Sequence, residues 1–159
     1  MRHRMRLAAA ALSITIVACA SGGAAVPPPR PVESTLFAAS LDVDLSKMTK
    51  TPSGLYWRDI EVGTGTLVKG KMDVRVHYTG WLTNGEKFDS NSTDDPPVVV
   101  PLGRGRAIKG WEEGLEGMRA GGRRQLIVPS ELGYGSEHSG LIPPDAVLVF
   151  DIRVVSAKY

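Results

Sequence analysis

Two periodicities organise the chain after position 50. Val74, Val76 and Tyr78 fall on one side of an extended segment and Arg75, His77 and Thr79 on the other, the period-two alternation of a strand with one buried face. The same alternation sets Leu148, Phe150, Ile152 and Val154 against Val149, Asp151 and Arg153, and positions 55–60 and 124–128 read as two further strands. Thr83-Asn84-Gly85-Glu86, lying between strand-like runs, reads as a hairpin turn. One segment changes period: Ile108, Trp111, Leu115 and Met118 recur at helical spacing and would share one helix face. Gly110, Gly114 and Gly117 each weaken that helix by up to about 1 kcal/mol relative to alanine. Packing of Trp111 and its neighbours on a sheet must therefore hold it, and Gly121-Gly122 offers a stop. The expected fold is α+β, one antiparallel sheet of five to six strands wrapped around one short helix.

Upstream of position 51 the pattern is different. Arg2, His3, Arg4 and Arg6 precede an uncharged run from Leu7 to Ala18, which reads as an export signal and is too short to span a bilayer comfortably. The run ends in Ile16-Val17-Ala18-Cys19, which resembles a bacterial lipobox. That resemblance implies cleavage before Cys19 and a diacylglycerol on its sulfur, and two or more chains anchor stably where one does not. The alternative is an ordinary signal cut after Ala18-Cys19-Ala20, which satisfies the small-x-small rule. The lipobox resemblance further implies, from Ala20 rather than an aspartate after the cysteine, that the protein is not retained at the inner membrane of a two-membrane bacterium. The expected location is thus the bacterial envelope, on the periplasmic side of the outer membrane or at the cell surface. Pro27-Pro28-Pro29-Arg30-Pro31 reads as an extended stalk. Beyond it, Leu36, Phe37, Leu41, Val43, Leu45 and Met48 could pack against the domain through a short helical turn. The expected organisation is a leader over 1–18, the cysteine with a linker or extension over 19–50, and one domain over 51–159.

Composition narrows the function. The apolar fraction of 42% supports a packed core in a chain of 159 residues. The formal charge of +2 comes from the leader: without Arg2, Arg4 and Arg6 there are 16 basic against 17 acidic residues. That balance points to no nucleic acid or strongly charged surface as partner. One cysteine excludes an internal disulfide. Gly65-Thr66-Leu67-Val68-Lys69-Gly70-Lys71-Met72 is nearly a phosphate-binding loop, but Met72 cannot hold magnesium and a strand pattern follows it. Asn91-Ser92-Thr93 is read as a polar loop and not as a glycosylation acceptor. His3, His77 and His138 stand singly, with no metal-ligand spacing, and no serine or cysteine nucleophile has a recognisable setting. No cofactor or metal is implied.

Six segments, in order, carry a resemblance. They are Val76-His77-Tyr78-Thr79-Gly80, Gly85-Glu86-Lys87-Phe88-Asp89-Ser90, Ile108-Lys109-Gly110-Trp111-Glu112-Glu113-Gly114, Tyr134-Gly135, Ile142-Pro143-Pro144 and Leu148-Val149-Phe150-Asp151. Together they closely resemble the FKBP family of peptidyl-prolyl cis-trans isomerases, from about Thr51 to Lys158. The resemblance implies a shallow proline pocket with Trp111 as its floor and Tyr78, Phe88 and Phe150 as walls. Ile108 would add a side chain and a backbone N–H for the substrate carbonyl beyond the proline. Asp89 and the Tyr134 hydroxyl would be the polar groups near the amide, and Ala107, His138, Leu141 and Ile142 would line the rim. Asp94 and Val98 stand where family members often carry Arg and Phe, which thins the wall that Val98 contributes and removes a partner for Asp89. Ala107 is smaller than the usual Val, and Ser139 replaces a frequent proline.

The implied activity is isomerisation of X–Pro bonds in exported proteins. The alternative is a non-catalytic module or chaperone that binds proline-containing segments. The partners implied are proline-containing polypeptides, macrolides such as tacrolimus or rapamycin, and the membrane through lipid on Cys19. A monomer suffices.

Overall fold

The structure, a computed structural model, describes residues 31–91 and 93–159. The expected export signal, the expected lipobox with Cys19 and most of the expected proline-rich stalk lie outside the described residues. The sheet contains seven strands: β1 (Thr49–Lys50), β2 (Tyr56–Glu61), β3 (Asp73–Leu82), β4 (Lys87–Asn91), β5 (Val98–Pro101), β6 (Arg123–Val128) and β7 (Leu148–Lys158). The order is β1-β2-β6-β7-β3-β4, and β5 also pairs with β3. Every pairing is antiparallel; β5 lies along residues 73–76 of β3 and β4 along residues 78–81. The predicted α+β architecture therefore holds. The extra strands are the two-residue β1 and the short β5, which carry too few positions to show a period.

The long central strands confirm the alternation. Val74 and Val76 of β3, with Leu148, Phe150, Ile152 and Val154 of β7, enter one core cluster with Leu126 and Val128 of β6. The predicted turn closes the β3–β4 hairpin, where the Gly85 N–H donates to Leu82 O (2.9 Å) and the Leu82 N–H to Glu86 O (2.8 Å).

The helix is shorter than its spacing suggests. α1 (Lys109–Gly114) ends at Leu115, well before Met118 and the predicted stop at Gly121-Gly122. The reason is non-local. The Gly117 N–H donates to Val68 O (3.0 Å) and the Val68 N–H to Met118 O (2.8 Å), so pairing with residues 65–68 draws the chain out of the helix. Trp111, Leu115 and Met118 nonetheless share the core, and Ile108 packs against it. Two of the glycines that weaken α1 let it dock. A Cβ on Gly110 would lie 2.5 Å from Val128 Cγ1, and one on Gly114 would lie 2.6 Å from Leu126 Cδ1. The helix gives up intrinsic stability and gains close contact with β6.

The opposite face of the sheet is also covered. Residues 32–48 run across it as a strap of three short 3₁₀ turns. Val32 and Leu41 are buried there with Tyr56, Ile127, Val147 and Val149, and Phe37, Val43, Leu45 and Met48 pack around them. Leu36, expected among these, points away at 91% exposure. Polar contacts fix the strap: the Ala38 N–H donates to Thr83 O (2.8 Å), Gln125 Nε2 to Leu41 O (2.8 Å), and Arg58 Nη2 to Asp42 Oδ2 (2.8 Å). Glu33 accepts from Lys50 and from the Tyr56 hydroxyl (2.6 Å). These two donors hold the Glu33 carboxyl down at about 2. Among the described residues no helix is long and apolar enough to cross a membrane.

Candidate active site

Between α1 and the β3–β7 strand pair lies an open cavity of about 420 Å³. Trp111, in the first turn of α1, is 8% exposed and forms its floor. The ring meets Tyr78 of β3 edge-on (centroids 4.9 Å, 79°) and Phe150 of β7 likewise (5.4 Å, 83°). Phe88 of β4 packs perpendicular to Phe150 at 5.6 Å. Such pairs contribute about 0.5–1.5 kcal/mol each beyond burial and hold the rings in fixed orientations.

Gly80 makes the Phe88–Phe150 pair possible. It stands opposite Phe150 on β7 and Asp89 on β4. A Cβ there would lie 2.6 Å from Phe88 Cζ and 2.9 Å from Phe150 Cε1. A glycine in mid-strand, where a side chain is normally needed for packing, is the sequence signal for that close approach.

The polar groups are few. The Tyr78 hydroxyl donates to Asp89 Oδ2 at 2.6 Å. Burial first, and then the bond to Asp89, push the Tyr78 hydroxyl well above the ordinary tyrosine range, so it stays protonated. The Trp111 Nε1 is buried with no hydrogen-bond partner among the described residues. Such an unpaired N–H costs about 1–3 kcal/mol, so this tryptophan is held by its ring contacts. The Ile108 carbonyl accepts from the Trp111 N–H (2.9 Å) and the Glu112 N–H (3.1 Å). The Ile108 N–H itself has no hydrogen-bond partner among the described residues.

The fold thus brings Tyr78, Phe88, Asp89, Val98, Ala107, Ile108, Trp111, Tyr134 and Phe150 around one cavity. Three expected rim residues lie elsewhere. His138 and Leu141 are exposed outside the lining, and Ile142 is buried in the core, where it reaches back to Ser139 by a two-way backbone pairing. The expected loss of a partner for Asp89 is met by the Tyr78 hydroxyl.

Sequence reasoning missed Val99, Val100, Pro101, Gly105 and Arg106, which complete the wall. The run Val98-Val99-Val100 bounded by prolines was a strand signal, whereas nothing local marked Arg106. Among the described residues no three metal-ligating side chains come together.

Comparison with known proteins gives this geometry its context. The sequence profile of the family described as FKBP-type peptidyl-prolyl cis-trans isomerase matches residues 63–155. An FK506-binding protein of Neisseria meningitidis serogroup B is 49% identical over 104 residues, covering 64% of this chain and 94% of that protein. The FKBP-type peptidyl-prolyl cis-trans isomerase FkpA of Aeromonas hydrophila is 42% identical over 108 residues, covering 68% of this chain and 40% of that one. Among solved structures, a peptidyl-prolyl cis-trans isomerase of Pseudomonas syringae pv. tomato superposes with a TM-score of 0.65 at 29% identity, over 76% of this chain and 87% of that one.

Proposed function

The chain belongs to the FKBP-type peptidyl-prolyl cis-trans isomerase family, and from that premise we propose that it isomerises X–Pro bonds of exported proteins in the cavity over Trp111. The observation that carries this reading is the aromatic floor and walls, with Asp89 and Tyr134 as polar groups at the edge. An X–Pro bond has a rotation barrier of about 18–20 kcal/mol. Its planar ground state is polar by resonance, and the twisted transition state has lost that resonance. Transfer from water to the Trp111, Tyr78 and Phe150 surfaces therefore disfavours the planar amide more than the twisted one. This is differential binding that needs no proton transfer or covalent intermediate. Each 1.4 kcal/mol or so of difference gives a factor of ten.

In this reading the proline ring rests on Trp111, and the Ile108 N–H donates to the carbonyl beyond the proline. Asp89, oriented by the Tyr78 hydroxyl, and the Tyr134 hydroxyl act on the amide from the rim. The macrolides tacrolimus and rapamycin occupy the same surface as competitors; the name of the Neisseria relative, an FK506-binding protein, supports this part. The protein is held at the bacterial envelope by lipid on Cys19, and its clients are exported chains.

The full chain is expected to accelerate isomerisation of a proline peptide, with rapamycin abolishing the acceleration. Acceleration that persists at saturating macrolide would place turnover outside this cavity. Wild-type protein is expected to partition into a detergent phase and Cys19→Ser to remain in the aqueous one; equal partitioning of the two would remove the lipid anchor.

A further inference from the structure

Arg104 and Arg106 flank Gly105 on the loop that joins β5 to α1, and the fold treats them differently. Arg104 is tied down, its Nη1 forming a charge contact of 3.2 Å with Asp73 Oδ1. The loop is also pinned to α1, because the Gly103 N–H donates to Glu112 Oε2. Gly105 then takes a left-handed turn (φ +63°) with open space around its α-carbon, so backbone conformation, and not crowding, calls for glycine there. The turn delivers Arg106 to the mouth of the aromatic cavity, beside Ala107 and Ile108.

There Arg106 is exposed, and it makes no ion pair or hydrogen bond with any described residue. Arg58, Arg104, Arg123, Arg124 and Arg153 each pair with a carboxylate. Arg75 and Arg119 do not, but neither is among the residues that line the cavity. Among the described residues, Arg106 is the one basic residue in the cavity's lining, and Asp89, on the separate wall formed by β4, is the one acidic residue. The Asp89 carboxylate already accepts from the Tyr78 hydroxyl. A client's charged neighbours therefore meet an unpaired cation on one wall and an engaged anion on another.

We propose that Arg106 is a specificity-determining residue that selects clients carrying an aspartate or glutamate within one or two residues of the isomerised proline. This rests on the cavity over Trp111 being the isomerase site. The guanidinium fork offers paired donors matched to a carboxylate. At an exposed rim such a pair is worth about a two- to fivefold preference, and salt screens it.

The test uses the full chain and matched peptides with Glu, Gln or Lys placed immediately before or after the proline. It reads kcat/KM ratios within each protein variant, so that a general loss of activity cancels. For wild-type protein the Glu peptide is expected to exceed the Gln peptide about two- to fivefold at low salt. The ratio is expected to approach one near about 0.5 M salt, where the Debye length is only a few ångströms. Arg106→Lys is expected to keep a reduced, still salt-sensitive preference. Arg106→Gln is expected to lose it, and Arg106→Glu to reverse it in favour of the Lys peptide. Equal wild-type constants for the Glu and Gln peptides, both accelerated, would overturn the selectivity and leave the isomerase site standing. A Glu preference unchanged in Arg106→Glu would overturn it as well. If wild-type protein accelerates none of the peptides, the site itself is misplaced and the selectivity goes with it.

Discussion

The two faces of the sheet are covered by different means. On one face the six-residue α1 sits over β6, and four aromatic rings leave an open cavity beside it. On the other, the strap of residues 32–48 lies flat on Ile127, Val147 and Val149 and closes the surface. The first face keeps apolar area available to a ligand, with a buried indole N–H that no described residue pairs. The second satisfies its strap through side chains reaching up from the sheet, such as Gln125 to Leu41 O and Tyr56 to Glu33. One face is built to bind and the other to hold, so changes on the two should separate activity from stability.

The sharpest test of that separation is the cavity floor. Trp111→Leu keeps an apolar surface and is expected to retain a measurable fraction of kcat/KM. Trp111→Gln buries an unpaired amide beneath the proline and is expected to lose activity by at least about a hundredfold, near the upper end of a 1–3 kcal/mol penalty. Glutamine matching leucine, with both proteins folded by circular dichroism, would show that the apolar floor does not drive turnover.

On the strap side, Ile127→Ala removes a fully buried side chain. It is expected to cost about 2–5 kcal/mol in urea unfolding, with kcat/KM of the folded protein unchanged. A matching drop in kcat/KM would mean that the two faces are coupled through β6.

Gly110→Ala probes the boundary between the faces. Better helix propensity should add about 1 kcal/mol, but the new methyl would meet Val128 Cγ1 at 2.5 Å. Overpacking typically costs about 1–3 kcal/mol, so a net loss of stability is expected, together with loss of activity as α1 shifts. A stabilised and fully active variant would show that α1 docks with room to spare.

At the rim, Asp89→Ala and Tyr134→Phe are expected to lower kcat/KM without unfolding the domain, since both residues are exposed. Tyr78→Phe should do the same by about three- to tenfold, the scale of one ordinary hydrogen bond at a solvent-accessible rim. Unfolding comparable to a core truncation would reassign these groups to structure.

The smallest effect expected is acid release of the strap's N-terminal end. The Glu33 carboxyl lies at about 2 in the folded protein against an ordinary 4.5. Because the folded value is depressed, its contribution is fully present above about 4.5 and is lost as pH falls toward 2. Amide protection factors at residues 32–35 should fall across that window in wild-type protein and be low throughout in Glu33→Gln. Identical profiles for the two would remove Glu33 as the latch.

Local pattern alone determined the strands that alternate on one buried face and the β3–β4 turn, and the family resemblance named the aromatic residues that end up in one cavity. Each depends on side-chain period or on a motif kept together along the chain. Tertiary structure decided the rest. Helical spacing ran on to Met118, but α1 stopped at Gly114 because residues 65–68 competed for its backbone groups. Val149 read as the outer side of an alternating strand, yet it is fully buried, as is Ile127, because the strap from the other end of the chain covers them. Ile142 kept its place in the motif and went to the core, while Arg106, without any motif, reached the cavity. Period shows which side chains share a face, but what covers that face, and which charges find partners there, depends on contacts between segments remote in sequence.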